Sequence, residues 1–138
     1  MARWSKDELK RVAAAAGLHI ASLRVEGVRY RAPTWIWSVV VDGDLYVRAY
    51  NGDASRWYQA ALRHKKGRIT ATGSTKPVTF EPAAAALSER IDEAYRTKYD
   101  GSPYVAPITG PRARAATLRV LPPEPDQILS LEPVRRPT

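Results

Sequence analysis

The chain has 138 residues, 44% of them hydrophobic, with 22 Lys and Arg against 14 Asp and Glu and a formal charge of +8. That length and apolar content predict one domain with its own core, over residues 1–121, followed by a Pro-rich tail over 122–138. Zero cysteines exclude disulfides, thiolate nucleophiles and Cys-bound zinc, and two histidines, His19 and His64, are too few for a His-rich metal site or a catalytic triad.

The start MARWSKDELK lacks the basic-then-apolar pattern of a signal peptide, and no stretch of 18 apolar residues occurs, so the expectation is a cytosolic protein with no membrane partner. The basic excess is local. Residues 56–76 carry Arg56, Arg63, Lys65, Lys66, Arg68 and Lys76 without one Asp or Glu, and residues 104–121 carry Arg112, Arg114 and Arg119 on the same terms. Such stretches favour an anionic partner, a phosphorylated small molecule or nucleic acid, over a neutral one.

In chain order, Ser5-Lys6-Asp7-Glu8 is a capping box, and Leu9, Val12, Ala13 and Ala16 follow at helical spacing, which predicts a helix over 6–16. LHIASLRV (18–25) reads as extended, Glu26-Gly27 as a turn, and VRYRAPTWIWSVVV as a strand interrupted near Pro33, because proline cannot donate to a ladder. Asp42-Gly43 is a two-residue hairpin signal, and Asn51-Gly52 marks the far end of the next strand. Ser55 is placed as N-cap of a short helix whose stripe is Trp57, Ala60, Ala61 and His64. A second hairpin turns around Gly73-Ser74. Pro82 is read as opening a helix with Leu87, Ile91, Ala94, Tyr95 and Lys98 on one stripe, ended by Gly101. Residues 116–122 form the last strand. Hairpins with helices between them predict an α+β fold, mainly β: a small split β-barrel with helical caps rather than a βαβ sheet.

If Asp42-Gly43 is the loop, paired positions sum to 85, which sets Trp35 against Tyr50, Trp37 against Arg48 and Val39 against Tyr46. Alternation then sorts Trp35, Trp37, Tyr46, Arg48 and Tyr50 onto one face, and Ile36, Ser38, Val40, Leu45, Val47 and Ala49 onto the other. The aliphatic face reads as core. Rings with a guanidinium among them suit a flat conjugated ligand with an anionic arm, or else packing under a helix or across a dimer. Past the hairpin, the helix start at Ser55 offers free N–H groups to a phosphate.

The order PTWIW, LYVRAYNG, SRWY, GRI, VTF and IDEAY resembles an uncharacterised bacterial family of domains of unknown function, over about residues 4–121. More loosely, the strand, DGD turn, strand, W-Y-x-x-L helix and basic strand resemble the split barrels of flavin- and deazaflavin-dependent reductases and pyridoxamine-phosphate-oxidase-like proteins. The resemblance implies a barrel that is commonly a homodimer, with a flavin-type cofactor, FMN or a deazaflavin, near the subunit boundary. It places contacts at Thr34, Trp35, Trp37, Arg48, Tyr50, Asn51, Ser55, Arg56 and Trp57, with Arg63 or Lys65 adding charge. VEGVRYRAPTW lacks the basic-Ser-Gly turn usual before the proline-containing strand of the deazaflavin reductases, which leaves the coenzyme's identity open.

Three functions follow. The first is a flavin- or deazaflavin-binding oxidoreductase, since such a coenzyme brings its own hydride chemistry and Tyr30, Tyr46 or Tyr58 could donate a proton. The second is a nucleic-acid-binding domain using the interleaved rings and cations of RWYQAALRHKKGRIT. The third is a dimeric scaffold without catalysis. Arg112 and Arg114 are candidates to reach a ligand phosphate across a dimer, and Asp92 is read as a surface partner of Arg96 at i, i+4.

Overall fold

The structure is a computed structural model and describes residues 3–23, 29–30 and 32–122. The expected turn at Glu26-Gly27 and the tail beyond Pro122 lie outside the described residues. Helix α1 (Lys6–Ala14) starts on the capping box, with Ser5 accepting from the Glu8 N–H at 3.1 Å and Glu8 accepting from the Ser5 N–H at 3.0 Å. It stops two residues short of the predicted end, where Ala15 is already extended.

Seven strands follow, all antiparallel to their neighbours: β1 (Leu18–Ser22), β2 (Thr34–Ile36), β3 (Ser38–Val41), β4 (Asp44–Arg48), β5 (Lys66–Ala71), β6 (Ser74–Pro82) and β7 (Thr117–Leu121). Their order in the sheet is β2-β1-β5-β6-β7-β4-β3. The two edge strands, β2 and β3, are therefore consecutive in the chain, and the sheet curls until its ends meet at Trp37. Every strand sends side chains into one core, including Leu18, Ile20, Ile36, Val40, Leu45, Val47, Ile69, Val78, Phe80, Leu118 and Val120. This is the α+β split barrel that the hairpin pattern predicts.

Two hairpins close on type I′ turns, whose positive φ matches the twist of the strands. Asp42 and Gly43 have φ 52° and 81°, as the dipeptide predicts; Thr72 and Gly73 have φ 52° and 83°, one residue earlier than the Gly73-Ser74 reading. Helix α2 (Arg56–His64) presses Trp57, Tyr58 and Ala61 into the barrel core. Lys65 ends it in the left-handed region at φ 58°.

Pro82 does not open a helix. It closes β6 opposite Leu118, at a strand end where a missing N–H is tolerated, and α3 (Ser88–Lys98) begins six residues later after a short 3-10 turn. Its apolar stripe, Ile91 and Tyr95 flanked by Leu87 and Ala94, forms a second core on the outside of the barrel with Val39, Val41 and Tyr46. Two single-turn helices that the sequence pattern does not signal, α4 (Val105–Ile108) and α5 (Pro111–Arg114), lead into β7.

Candidate functional site

The hairpin register is the one the turn predicts: Val39 pairs with Tyr46 and Val40 with Leu45, summing to 85. The segment is interrupted at Pro33 as expected, between the Tyr30 bridge to Leu23 and the start of β2, and it breaks a second time at Trp37. Before the break, β2 leaves β4 and pairs with β1, so Trp35 lies opposite His19 and not opposite Tyr50. Its indole meets the His19 ring edge-on at 5.0 Å. Both faces of the β3–β4 hairpin are buried, the aliphatic one in the barrel and the Tyr46–Arg48 one under α3.

The break opens a cleft of about 250 Å3 at the barrel's split, lined by Trp35, Ile36, Trp37, Arg48, Tyr50, Tyr104 and Ile108. Trp35, Tyr50 and Tyr104 are 52%, 42% and 57% exposed, the large rings that folding leaves most open. Tyr104 stands edge-on to both Trp37, at 6.4 Å, and Tyr50, at 6.0 Å. Trp37 is fixed from behind by Tyr99, stacked at 3.8 Å with the planes 4° apart. Tyr99 is itself held, its hydroxyl donating to the Ala16 carbonyl at 2.7 Å and accepting from the Ser38 N–H at 3.2 Å. Burial pushes that phenol up to about 12, so it stays a neutral donor.

Arg48 forms the floor of the cleft, 1% exposed. Its Nη1 donates to Asp92 Oδ1 at 2.5 Å and to the Ile108 carbonyl at 3.0 Å, its Nη2 to the Ser88 carbonyl at 3.1 Å, and its Nε to Thr117 Oγ1 at 3.0 Å. The Tyr95 ring lies under the guanidinium, 5.4 Å from Cζ. The charge is thus answered from within. Asp92 is no surface partner of Arg96: it is buried, shared between Arg48 and Arg114 (3.2 Å), while Arg96 pairs with Glu93.

Of the residues singled out in the sequence, the fold brings Trp35, Trp37, Arg48 and Tyr50 together at this cleft. Thr34, Asn51, Arg56 and Arg63 are exposed and Ser55 is half-buried, but none of these lines it. Ser55 holds the N-cap position of α2 without a side-chain capping bond, and Lys65 is exposed at the other end of the helix. Trp57 is a core residue, its indole against Tyr58 inside the barrel. Arg112 lies over Gly52 and Arg114 is committed to Asp92. The three tyrosines considered as proton donors are elsewhere: Tyr46 buried under α3, Tyr58 with its hydroxyl donating to the Ala115 carbonyl at 3.4 Å, and Tyr30 beneath Arg68 at 4.1 Å.

Tyr104 and Ile108 had no periodic signal, because the turn and single-turn helix that carry them are too short to show one. The exposed aromatic directly after Gly101-Ser102-Pro103 was the only hint.

Among the described residues no helix is long and apolar enough to cross a membrane. No curated protein matches the sequence. Among solved structures, the chain is similar to a conserved hypothetical protein of Mycobacterium tuberculosis, with TM-score 0.60, 13% identity, and coverage of 99% of this chain and 94% of that one. It is also similar to a putative 5-nitroimidazole antibiotic resistance protein of Bacteroides thetaiotaomicron (TM-score 0.58, 10% identity, 88% and 81% covered). A NimC/NimA family protein of Clostridium acetobutylicum has TM-score 0.50, 15% identity, and coverage of 84% and 78%. These likenesses establish the barrel fold. The sequence matches over residues 8–120, most of its length, the bacterial family of uncharacterized conserved proteins DUF2255, and the chain belongs to that family.

Proposed function

We propose that this protein binds a flavin-type coenzyme, FMN or a deazaflavin, in the aromatic cleft and acts as an oxidoreductase. The observation that carries the reading is the cleft itself: Trp35, Trp37, Tyr50 and Tyr104 surround an opening whose one charged lining residue, Arg48, is already neutralised by Asp92. A planar conjugated ring suits such walls, since aromatic pairs gain from offset and edge contacts without a new charge. When bound, the coenzyme supplies the hydride chemistry. The protein's residues orient it: Tyr99 holds Trp37 in plane, and Arg48 fixes the floor through contacts to α3, α4 and β7.

The residues fit the ring better than they fit a phosphate. Arg48 has little left to donate, so the anionic arm falls to the exposed cations after Tyr50, Arg56 first, with Asn51, Ser55 and Arg63 on the same side of the sequence. A cleft of about 250 Å3 is just below the roughly 300–1,000 Å3 of ordinary small-molecule sites. In this reading a second copy completes the site, covering the three exposed rings in a homodimer. The likeness to a putative 5-nitroimidazole resistance protein makes a nitroaromatic compound the first substrate to test.

The test is titration of the purified protein with FMN and with a deazaflavin coenzyme, followed by tryptophan emission and melting temperature. Saturable quenching with a raised melting temperature supports the reading. No change in either refutes it and leaves a dimeric scaffold, a reading favoured by the internal satisfaction of Arg48. Binding of single-stranded DNA with a steep salt dependence would instead favour nucleic acid on the exposed Arg56, Arg63 and Lys65.

A further inference from the structure

A second, larger opening lies away from the aromatic cleft, a groove of about 640 Å3 beside the edge strand β3, with α1 and α3 as its walls. Its surface is largely apolar, from Ala13, residues 39–41 and Ala94, with four charged side chains. Three of these are paired: Asp42 with Arg90, and Glu93 with Arg96 at 3.4 Å. The fourth, Lys98, has no carboxylate partner among the described residues. Its Nζ donates to the Ser38 carbonyl at 2.7 Å and to the Val12 carbonyl at 3.5 Å, and sits 5.3 Å from the centre of the Tyr99 ring. Desolvation pushes the amine down to about 8, so it carries its charge at neutral pH without a counter-charge.

The strand register adds a donor beside it. Ser38 gives its N–H to the Tyr99 hydroxyl and accepts at its carbonyl from Lys98, so its backbone faces away from β4. In an antiparallel ladder that direction recurs at every second residue. The N–H of Val40, paired with Leu45 across the ladder, therefore opens to the same side.

We propose that this groove is a binding site for an apolar monocarboxylate. One carboxylate oxygen accepts from the Lys98 ammonium and the other from the Val40 N–H, while the hydrocarbon body lies along Ala13 and Ala94. The unpaired cation selects for an anion, the groove offers an apolar bed for the rest, and its volume is that of ordinary small-molecule sites. The site is separate from the aromatic cleft and does not depend on a coenzyme there.

The experiment is calorimetric titration of the full chain with decanoate, with decanol as the neutral counterpart. Decanoate should bind saturably at one site and more tightly than decanol. Lys98→Met should lower its affinity at least about tenfold, the loss of one charge-assisted contact. Ala94→Trp, which fills the groove and leaves Lys98 in place, should abolish binding, and it decides the matter alone if Lys98→Met does not fold. Tyr104→Ala should leave decanoate affinity unchanged. Absence of saturable binding, equal affinity for decanoate and decanol, or loss in Tyr104→Ala in place of Ala94→Trp would overturn the proposal.

Discussion

Arg48 carries a full charge in a nearly dry position, and its partner Asp92 reaches it from a helix 44 residues further along the chain. Removing one partner of such a pair strands the other in low dielectric, which costs about 3–5 kcal/mol. Arg48→Met should therefore destabilise the protein by about that amount in denaturant unfolding, and Arg48→Met with Asp92→Leu should recover part of it. A loss below about 1 kcal/mol would mean that Arg114 suffices for Asp92. Alternation in the sequence put Arg48 on the hairpin face it shares with Tyr46, and in the structure it ends β4 with that face under α3. The sequence could not name the partner, because Asp92 sits at i, i+4 to Arg96 and local spacing read it as a surface pair. Lys98 gives a prediction in pH. Its folded-state value, about 8, is below its ordinary 10.5, so the unfolded chain binds more protons between the two and stability rises with pH across that window. Tyr99, raised to about 12, opposes this above pH 10, where the unfolded phenol ionises first. Between pH 8 and 10, wild type should thus gain stability relative to Lys98→Met. Parallel curves for the two proteins would contradict the assignment.

At the scale of elements, turn chemistry carried the most. Asp42-Gly43 predicted both the hairpin and its register, because positive φ at two successive residues is a local demand that few dipeptides meet. The capping box at Ser5 was equally local, and Ser5→Ala should cost about 1 kcal/mol, seen as faster amide exchange through α1. What could not be read was where a continuous strand pattern breaks. A run of strand-forming residues from Thr34 to Val41 carries no break signal, yet the chain changes partners at Trp37, a choice made by closure of the sheet. Pro82 misled for a related reason: a proline suits a helix start and a strand end alike, and only the ladder to Leu118 decides. Gly52 is needed on two counts. Its φ is +76°, and a Cβ there would overlap the Arg112 side chain. Gly52→Ala should destabilise by more than about 1 kcal/mol. Adding Arg112→Ala should relieve the overlap and leave the backbone strain, so the double variant should recover only part of the loss.

For the whole molecule, the barrel carries two openings, an aromatic one at the chain break before β3 and an apolar one with a lone cation beside β3 itself. The aromatic set was legible in part, since parity put Trp37 with Arg48 and proximity along the hairpin kept Trp35 and Tyr50 near. Its remaining wall, Tyr104, comes from the segment between α3 and β7, where no periodicity exists to be read. Three exposed rings at one cleft also predict association: the protein should run as a dimer in light scattering, and Tyr104→Ala should weaken that dimer. A monomer at all concentrations would place the completing wall within one chain. The most direct measurement is the dissociation constant for FMN, and for a deazaflavin coenzyme, of wild type beside Tyr104→Ala, with unfolding followed on both. Removing a ring that is more than half exposed should leave the fold intact and weaken coenzyme binding about tenfold, the worth of roughly 1.4 kcal/mol of stacking. Equal affinity in the two proteins, or no binding to either, would contradict a coenzyme site in the aromatic cleft.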